Sequence, residues 1–384
     1  MTPLGAAIDA ALAARERLRD RPRRETARSL AAAATRWRDD VDLRAALPAA
    51  TRLSPDMIDA VMPRITGALD ADAMTELVAR ELGPRPTAGP ALVAHVLASN
   101  VPALALPAIA LGCLAGAAVV VKSGRDDVLS APAFHRALET VDPELAATVV
   151  STYWTGGDRG VEDAVLARAD VVVASGSDAT MQALAPRLGT RLLAHGARVS
   201  CIVVASDDAD VAARVASDVA LYDQRGCLSP HTVYVVGDAS AFAERLAVAL
   251  ATQPAAGPAT LEERAARRTL LAVSEWQGDV LHGDGVLCGP PAPFRPTCGG
   301  RVVRVQEVRS IADVPTLLPS HGIECVGIAG LDPDTAALAR LGVARVCPVG
   351  RMQSPPLAWP CGQHAPLRSL LRLETPPALL VEAA

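Results

Sequence analysis

Aromatic residues make up only 3% of this 384-residue chain, so its core has to be built from alanine, valine and leucine. That material suits alanine-rich helices and valine-rich strands, an α/β composition. No C-x-x-C pair occurs among the eight cysteines, which stand singly at 113, 201, 227, 288, 298, 325, 347 and 361. The common zinc and dithiol patterns are therefore excluded. A chain this long needs no disulfide staples, which points to a reducing cytoplasm. A G-x-G-x-x-G is also missing, so the standard dinucleotide fingerprint is absent. The formal net charge is −5, which argues against a general nucleic-acid binder. Charges of both signs interrupt the start of the chain, so no secretory leader is expected.

What is present is apolar: half of the residues are hydrophobic. At roughly 100–200 residues per domain, the length suggests two domains. No charge occurs between His95 and Lys122, a run long enough to span a bilayer. Asn100, Pro102, Pro107, Gly112 and Gly116 punctuate it. It divides better into a strand (92–98), a helix (106–114) and a strand (117–122), because buried parallel strands read as continuous apolar runs. No membrane span is expected. The basic run Arg15–Arg24 reads as a solvated helix face followed by a turn at Pro22.

Residues 1 to about 85 read as helices broken near Pro48 and Pro63, and the Pro/Gly-rich segment Gly83–Pro90 marks a boundary. Strands (147–151, 171–174) then alternate with helices (128–140, 161–168), the pattern of parallel βαβ units. A strand (200–205), a helix (208–221) and a strand (232–236) open a second α/β region. Residues 254–300 read as irregular. A βαβ-like stretch follows over 325–349, with its helix near 334–341, and the tail after Arg351 reads as Pro-rich and then helical.

Four places carry candidate chemistry. Cys227 follows Gly226 in a helix-to-strand loop, where a thiolate can be a nucleophile and glycine lets a substrate approach; the plain alternative is a small buried hydrophobe. Asn100 follows a strand end, where a carboxamide can donate to an oxyanion or simply close the turn before Pro102. Lys122 closes a buried strand, in reach of a ribose or phosphate. Gly176 and Ser177 open a helix after a strand, which favours an anion or is an ordinary cap.

In order, strand–Asn, strand–Lys, strand–Gly-Ser, strand–Gly and Gly-Cys, the chain resembles the aldehyde dehydrogenase superfamily. Within it, Tyr222–Pro230 and Leu341–Pro355 resemble the fatty-acyl-CoA reductases of bacterial bioluminescence. The resemblance covers about residues 90 to 375. It implies an α/β, aldehyde-dehydrogenase-like fold of two Rossmann-like domains: a helical segment (1–89), an NAD(P)-binding domain (90–200), a catalytic domain (201–350), and a tail (351–384) on the cofactor domain or a partner subunit. It implies Cys227 as nucleophile and Asn100 as oxyanion donor. It assigns Ser99, Lys122, Arg125, Gly156, Gly157, Gly176 and Ser177 to the cofactor.

Two departures matter. Where the oxidative enzymes carry Glu-Leu-Gly-Gly-Lys, this chain has Ala194-His-Gly-Ala-Arg198. Loss of the water-activating Glu suits reduction rather than hydrolysis, although His195 is an alternative base. Arg125, three residues past Lys122, suits a ribose 2′-phosphate and so NADPH, with NADH as the alternative. The implied reaction is reduction of an acyl thioester to an aldehyde. The donor is acyl-CoA or an acyl-carrier protein, with an acyl-transferring partner protein and a homo-oligomer both compatible. Aldehyde oxidation, acyl-phosphate reduction and a catalytically silent scaffold subunit are the alternatives. No metal and no nucleic acid are expected.

Overall fold

The computed structural model describes residues 3–83, 89–206, 208–373 and 379–383. Most of the expected Gly83–Pro90 boundary lies outside the described residues. The chain forms two compact units. The first comprises residues 1–51, 62–197 and 356–376, and the second comprises 52–61, 198–355 and 377–384.

Unit 1 holds a five-stranded parallel sheet. Its strands are β1 (Leu92–Val96), β2 (Ala118–Lys122), β3 (Val149–Thr152), β4 (Val171–Ser175) and β5 (Leu192–His195), in the order β3-β2-β1-β4-β5. The chain winds outward from β1 through β2 to β3, then crosses back to lay β4 on the other side of β1. That reversal makes β1/β4 the switch point of a doubly wound sheet, where ligand crevices open at the carboxyl ends of the strands. The strands are apolar because helices cover both faces. Leu92, Ala94, Ala118, Val120, Val172 and Ala174 join Ile8 and Ala11 of the first helix (Pro3–Arg17) in one core.

The uncharged run folds as expected, into β1, a helix (Ala105–Ala115) and β2. Among the described residues no helix is long and apolar enough to cross a membrane. Gly112 is needed there, since a Cβ would meet Val119 at 2.5 Å. The basic run differs from the solvated face expected of it. Arg15 Nε donates to the Gly116 carbonyl at 3.0 Å, and Arg23 lies over Gly116. Both cations meet the carboxyl end of the buried helix, where the helix dipole favours positive charge. Arg21 pairs with Asp142. Pro48 and Pro63 sit inside helices Val41–Thr51 and Pro55–Gly67, and the breaks come three to four residues later.

Unit 2 holds eight strands in the order β13-β12-β11-β6-β7-β10-β9-β8. They are β6 (Val199–Val204), β7 (Pro230–Val236), β8 (Val280–His282), β9 (Val286–Gly289), β10 (Val303–Val308), β11 (Ile323–Ala329), β12 (Arg345–Pro348) and β13 (Leu380–Val381). All pairings are parallel except β8 with β9. Residues 254–300 are more ordered than expected: they contain β8, β9 and a 16-residue helix, Leu261–Trp276. Thr260 caps that helix and Glu263 returns the bond to the Thr260 N–H, a capping box that fixes its start despite the prolines around it. The tail is not helical among the described residues. Residues 361–363 make a single tight turn, and Glu81 holds the backbone N–H groups of Leu367 and Arg368 at 2.8 and 3.0 Å.

Burial depresses two histidines, His95 in β1 and His231 in β7, from about 6.5 to about 4. The unfolded chain therefore binds more protons than the folded one between those values. Stability from these groups is complete above pH 6.5 and falls as pH drops toward 4, by about 1.4 kcal/mol per unit for each. Urea unfolding at pH 7.5 and pH 5 should show this loss, and His95→Gln should flatten it. Equal slopes in the two proteins would contradict the burial argument for His95.

Candidate active site

In unit 1 all eight residues picked for oxyanion and cofactor contacts fall at the carboxyl edge of one sheet. Ser99 and Asn100 lie in the turn after β1, Lys122 ends β2, Arg125 follows it, and Gly156 and Gly157 lie in the turn after β3. Gly176 and Ser177 link β4 to the helix Asp178–Leu188. The first two turns are locked together. Gly124 lies so near the Ala98 carbonyl that a Cβ would meet its oxygen at 2.4 Å, and Ser99 Oγ accepts from the Arg125 N–H at 2.8 Å. Only glycine permits that approach.

Each polar group has a distinct setting. Asn100 is exposed. Lys122 is half-buried, and its Nζ sits 5.5 Å from the centre of the Tyr153 ring; burial lowers its affinity for the proton, with Glu162 opposing. Arg125 extends into solvent, 81% exposed, and pairs with Asp126 at 3.2 Å. Gly157 has φ +88°, and no atom crowds either glycine of its pair. Ser177 caps its helix by accepting from the Thr180 N–H, and the Gly176 N–H donates to the His195 carbonyl. An open glycine turn, a lysine at a strand end and a helix amino terminus with its positive dipole end form a donor set suited to a dinucleotide.

In unit 2, Cys227 sits before β7, in a tight turn closed by Ser229 N–H to the Gly226 carbonyl at 3.0 Å. The approach to this turn is unusual. Tyr222, Asp223 and Gln224 all have left-handed backbones, with φ of 56°, 51° and 60°. None is glycine, so each costs about 1–3 kcal/mol unless its surroundings enforce it. They do so with buried polar bonds. Asp223 accepts from Arg301 Nη2 at 2.7 Å and from the Gly257 N–H at 3.1 Å. Gln224 Nε2 donates to the carbonyls of Pro230 and Val302, both at 2.8 Å.

Two further side chains grip the turn itself. Ser200 Oγ, fully buried in β6, donates to the Cys227 carbonyl at 2.7 Å and accepts from the Cys325 N–H of β11 at 3.1 Å. Gln353 Nε2 donates to Ser229 Oγ at 3.1 Å and to the Asp218 carbonyl at 2.9 Å. Gln353 belongs to the Leu341–Pro355 segment, whose loop is anchored in turn by the buried Asp218 carboxylate, which accepts from the Gly350 and Met352 N–H groups. Ser200, Asp223 and Gln353 are absent from the sequence reading. The signal was a polar residue inside an apolar strand for Ser200, and the invariant need for partners of a buried amide for Gln353.

Cys227 keeps some solvent contact as a residue. Burial of the thiol is nevertheless the largest influence on it and, with the Glu324 carboxylate, pushes it up to about 12; backbone N–H groups and Arg198 act the other way. Burial thus disfavours the thiolate, the form in which a cysteine is a nucleophile.

Comparison with known proteins follows this geometry. The model of a family described as acyl-CoA reductase (LuxC) matches residues 22–273, a span that takes in all nine residues picked from the sequence. The long-chain acyl-protein thioester reductase 2 of Photobacterium leiognathi is 28% identical over 151 residues, 38% of this chain and 32% of that protein. The long-chain acyl-protein thioester reductase of Aliivibrio fischeri is 29% identical over 153 residues, again 38% and 32%. The matched stretch thus spans about a third of the length of these relatives. An NAD-dependent benzaldehyde dehydrogenase from Corynebacterium glutamicum has TM-score 0.70 and 16% identity, over 91% of this chain and 87% of that one. Aldehyde dehydrogenase 21 from Physcomitrella patens has TM-score 0.73 and 14% identity, over 95% and 87%. At such identities the likeness shows the fold, which is aldehyde-dehydrogenase-like as expected.

The Asp223–Arg301 pair tests how the left-handed turn is held. Removing one partner of a largely buried pair leaves the other charge uncompensated, at about 3 kcal/mol or more. Asp223→Ala should lower unfolding stability in urea by that amount and speed Cys227 alkylation, because disordering the loop exposes a thiol that burial now holds protonated. A loss below about 1 kcal/mol with unchanged alkylation would show that the turn is held by other means.

Proposed function

The chain belongs to the acyl-CoA reductase (LuxC) family, and on that premise we propose that it reduces an acyl thioester to an aldehyde with NADPH, through an acyl group carried on Cys227. The observation that carries this reading is the Cys227 turn: a strained approach held by buried hydrogen bonds that fixes one thiol before a strand. Strain of that kind is kept where a side chain must be aimed.

Cys227 Sγ attacks the thioester carbonyl and loses its proton as it does so. The Asn100 carboxamide donates to the oxygen that becomes negative, and the departing thiol takes up a proton. Asn100 suits this task because it sits exposed at a strand end. Splitting the reaction at an acyl-enzyme replaces one hard step by two easier ones. NADPH, when bound, supplies the hydride that brings the acyl group to the aldehyde level. Ser99, Lys122, Gly156, Gly157, Gly176 and Ser177 would hold it: the glycine turn would admit it closely, Lys122 would serve its ribose, and the helix start at Ser177 would serve its pyrophosphate. Ala194 ends this chain's counterpart of the water-activating position in a methyl group, so the acyl-enzyme is spared hydrolysis.

The donor is an acyl thioester, either acyl-CoA or an acyl group on a carrier or partner protein. The relatives' names specify long-chain acyl-protein thioesters, and a long chain is the first substrate to try. Arg125 favours NADPH over NADH. Its exposed guanidinium can reach a 2′-phosphate, but the Asp126 pairing competes, so the preference should be about tenfold rather than a hundredfold.

Aldehyde formation from a series of acyl-CoAs with NADPH tests the reading. Cys227→Ala should abolish it, and Asn100→Ala should lower turnover by about 10²–10³. The ratio of kcat/KM for NADPH to that for NADH should fall toward one in Arg125→Ala. Full activity in Cys227→Ala, or a change of less than about fivefold in Asn100→Ala, would overturn the corresponding assignment.

A further inference from the structure

Unit 2 carries a buried carboxylate in β11. β11 departs from regular pairing with β6 between Ile323 and Cys325, so Glu324 sits in a bulge of that ladder. The Glu324 side chain is fully buried and pairs with Arg198 Nε. Arg198 also donates to the carbonyls of Ile323 and Gly342, at 3.3 and 3.0 Å, which fixes the guanidinium. The residue after the bulge, Cys325, donates its N–H to Ser200 Oγ, and the same hydroxyl donates to the Cys227 carbonyl. Two hydrogen bonds thus join the bulge to the nucleophile's own peptide. A charged residue in the middle of Ile323-Glu-Cys-Val-Gly-Ile is the sequence signal for this arrangement. An acidic residue in a fully buried strand is rare unless it is paired.

We propose that Arg198 and Glu324 are positioning residues for Cys227: a buried ion pair, tied to the nucleophile's carbonyl through Ser200, whose balance of charge sets the pH range in which the Cys227 thiol reacts. The inference rests on Cys227 being the nucleophile proposed above. Bulges re-aim a side chain beside a functional site, and here the re-aimed group is a carboxylate. Glu324 from β11 and Arg198 from the residue before β6 are leading charges acting on the thiol. Their effects oppose each other. Negative charge at 324 disfavours the thiolate, and positive charge at 198 favours it. Burial is the larger influence disfavouring the thiolate, and the pair adds two opposed charges whose balance adjusts how far it is disfavoured. Glu324 is not a general base in this account, because the pair keeps its carboxylate engaged.

The test is the pH profile of Cys227 alkylation by iodoacetamide, resolved by peptide mass spectrometry and measured without acyl donor or cofactor. It therefore remains readable even if the acyl-transfer reading fails. Glu324→Gln keeps the shape and removes the charge. It should move the profile to lower pH by about one unit, so that alkylation below the midpoint is about tenfold faster. Arg198→Met should move it the other way by a similar factor, and Arg198→Lys should restore most of the wild-type profile. A thermal unfolding scan of each variant separates lost folding from lost tuning. An unchanged profile in folded Glu324→Gln would overturn the proposal. So would a profile displaced to higher pH, which is what a lost proton acceptor gives. If the alkylation profile shifts as expected but Cys227 takes no acyl group from any thioester, the pair stands and the catalytic reading falls.

Discussion

The hydroxyl of Ser200 joins three strands of unit 2 at one point. It donates to the carbonyl of Cys227, which precedes β7, and accepts from Cys325 of β11, while lying in β6 itself. Both irregularities in the pairing of β6 fall at its side, between Pro230 and Thr232 on β7 and between Ile323 and Cys325 on β11. A regular ladder would satisfy those backbone groups directly. Here the ladder opens, a side chain fills the gap, and the space accommodates the Cys227 turn and the Glu324 bulge. Buried polar groups are costly unless every one is partnered. The neighbouring Asp223, Gln224, Asp218 and Gln353 bonds follow from that requirement, and together they leave the turn few alternatives.

Unit 1 is governed by a different constraint. Parallel strands covered on both faces must be apolar along their length, so polar function is confined to the turns at their carboxyl ends. Val96, Lys122 and Thr152 lie in register across β1, β2 and β3, and β4 joins from the other side. Residues eighty positions apart therefore meet one crevice edge. The buried helix that follows Asn100 needs its own closure, and the first two helices supply it by bringing Arg15 and Arg23 to its carboxyl end.

Much of this was legible in the sequence because strand positions are written as runs of Val and Ala bounded by Gly, Pro or a charge. β1, β2, β4, β6 and β7 fall within about two residues of the expected positions, and the fold class follows from their alternation with helices. The edge location of Asn100, Lys122 and Gly176, and the helix-to-strand loop of Cys227, were legible for the same reason. The rest depended on tertiary contacts. Arg15, Arg21 and Arg23 read as a solvated run because their partners lie about ninety to a hundred and twenty residues away. The helix Leu261–Trp276 was hidden by the prolines flanking it, although its Thr260–Glu263 box was present. Ser200, Glu324 and Gln353 look like isolated polar residues until the ladder opens beside them. The upward push on the Cys227 thiol comes chiefly from burial, which local sequence does not encode.

The account turns on an acyl group held by one sulfur. Intact-protein and peptide mass spectrometry after mixing with a long-chain acyl-CoA, with no reduced cofactor present, tests it directly. The prediction is a single acyl adduct on the peptide carrying Cys227, lost when NADPH is added and absent in Cys227→Ala. An adduct on another cysteine, or no adduct from a thioester that the protein demonstrably reduces, would contradict it.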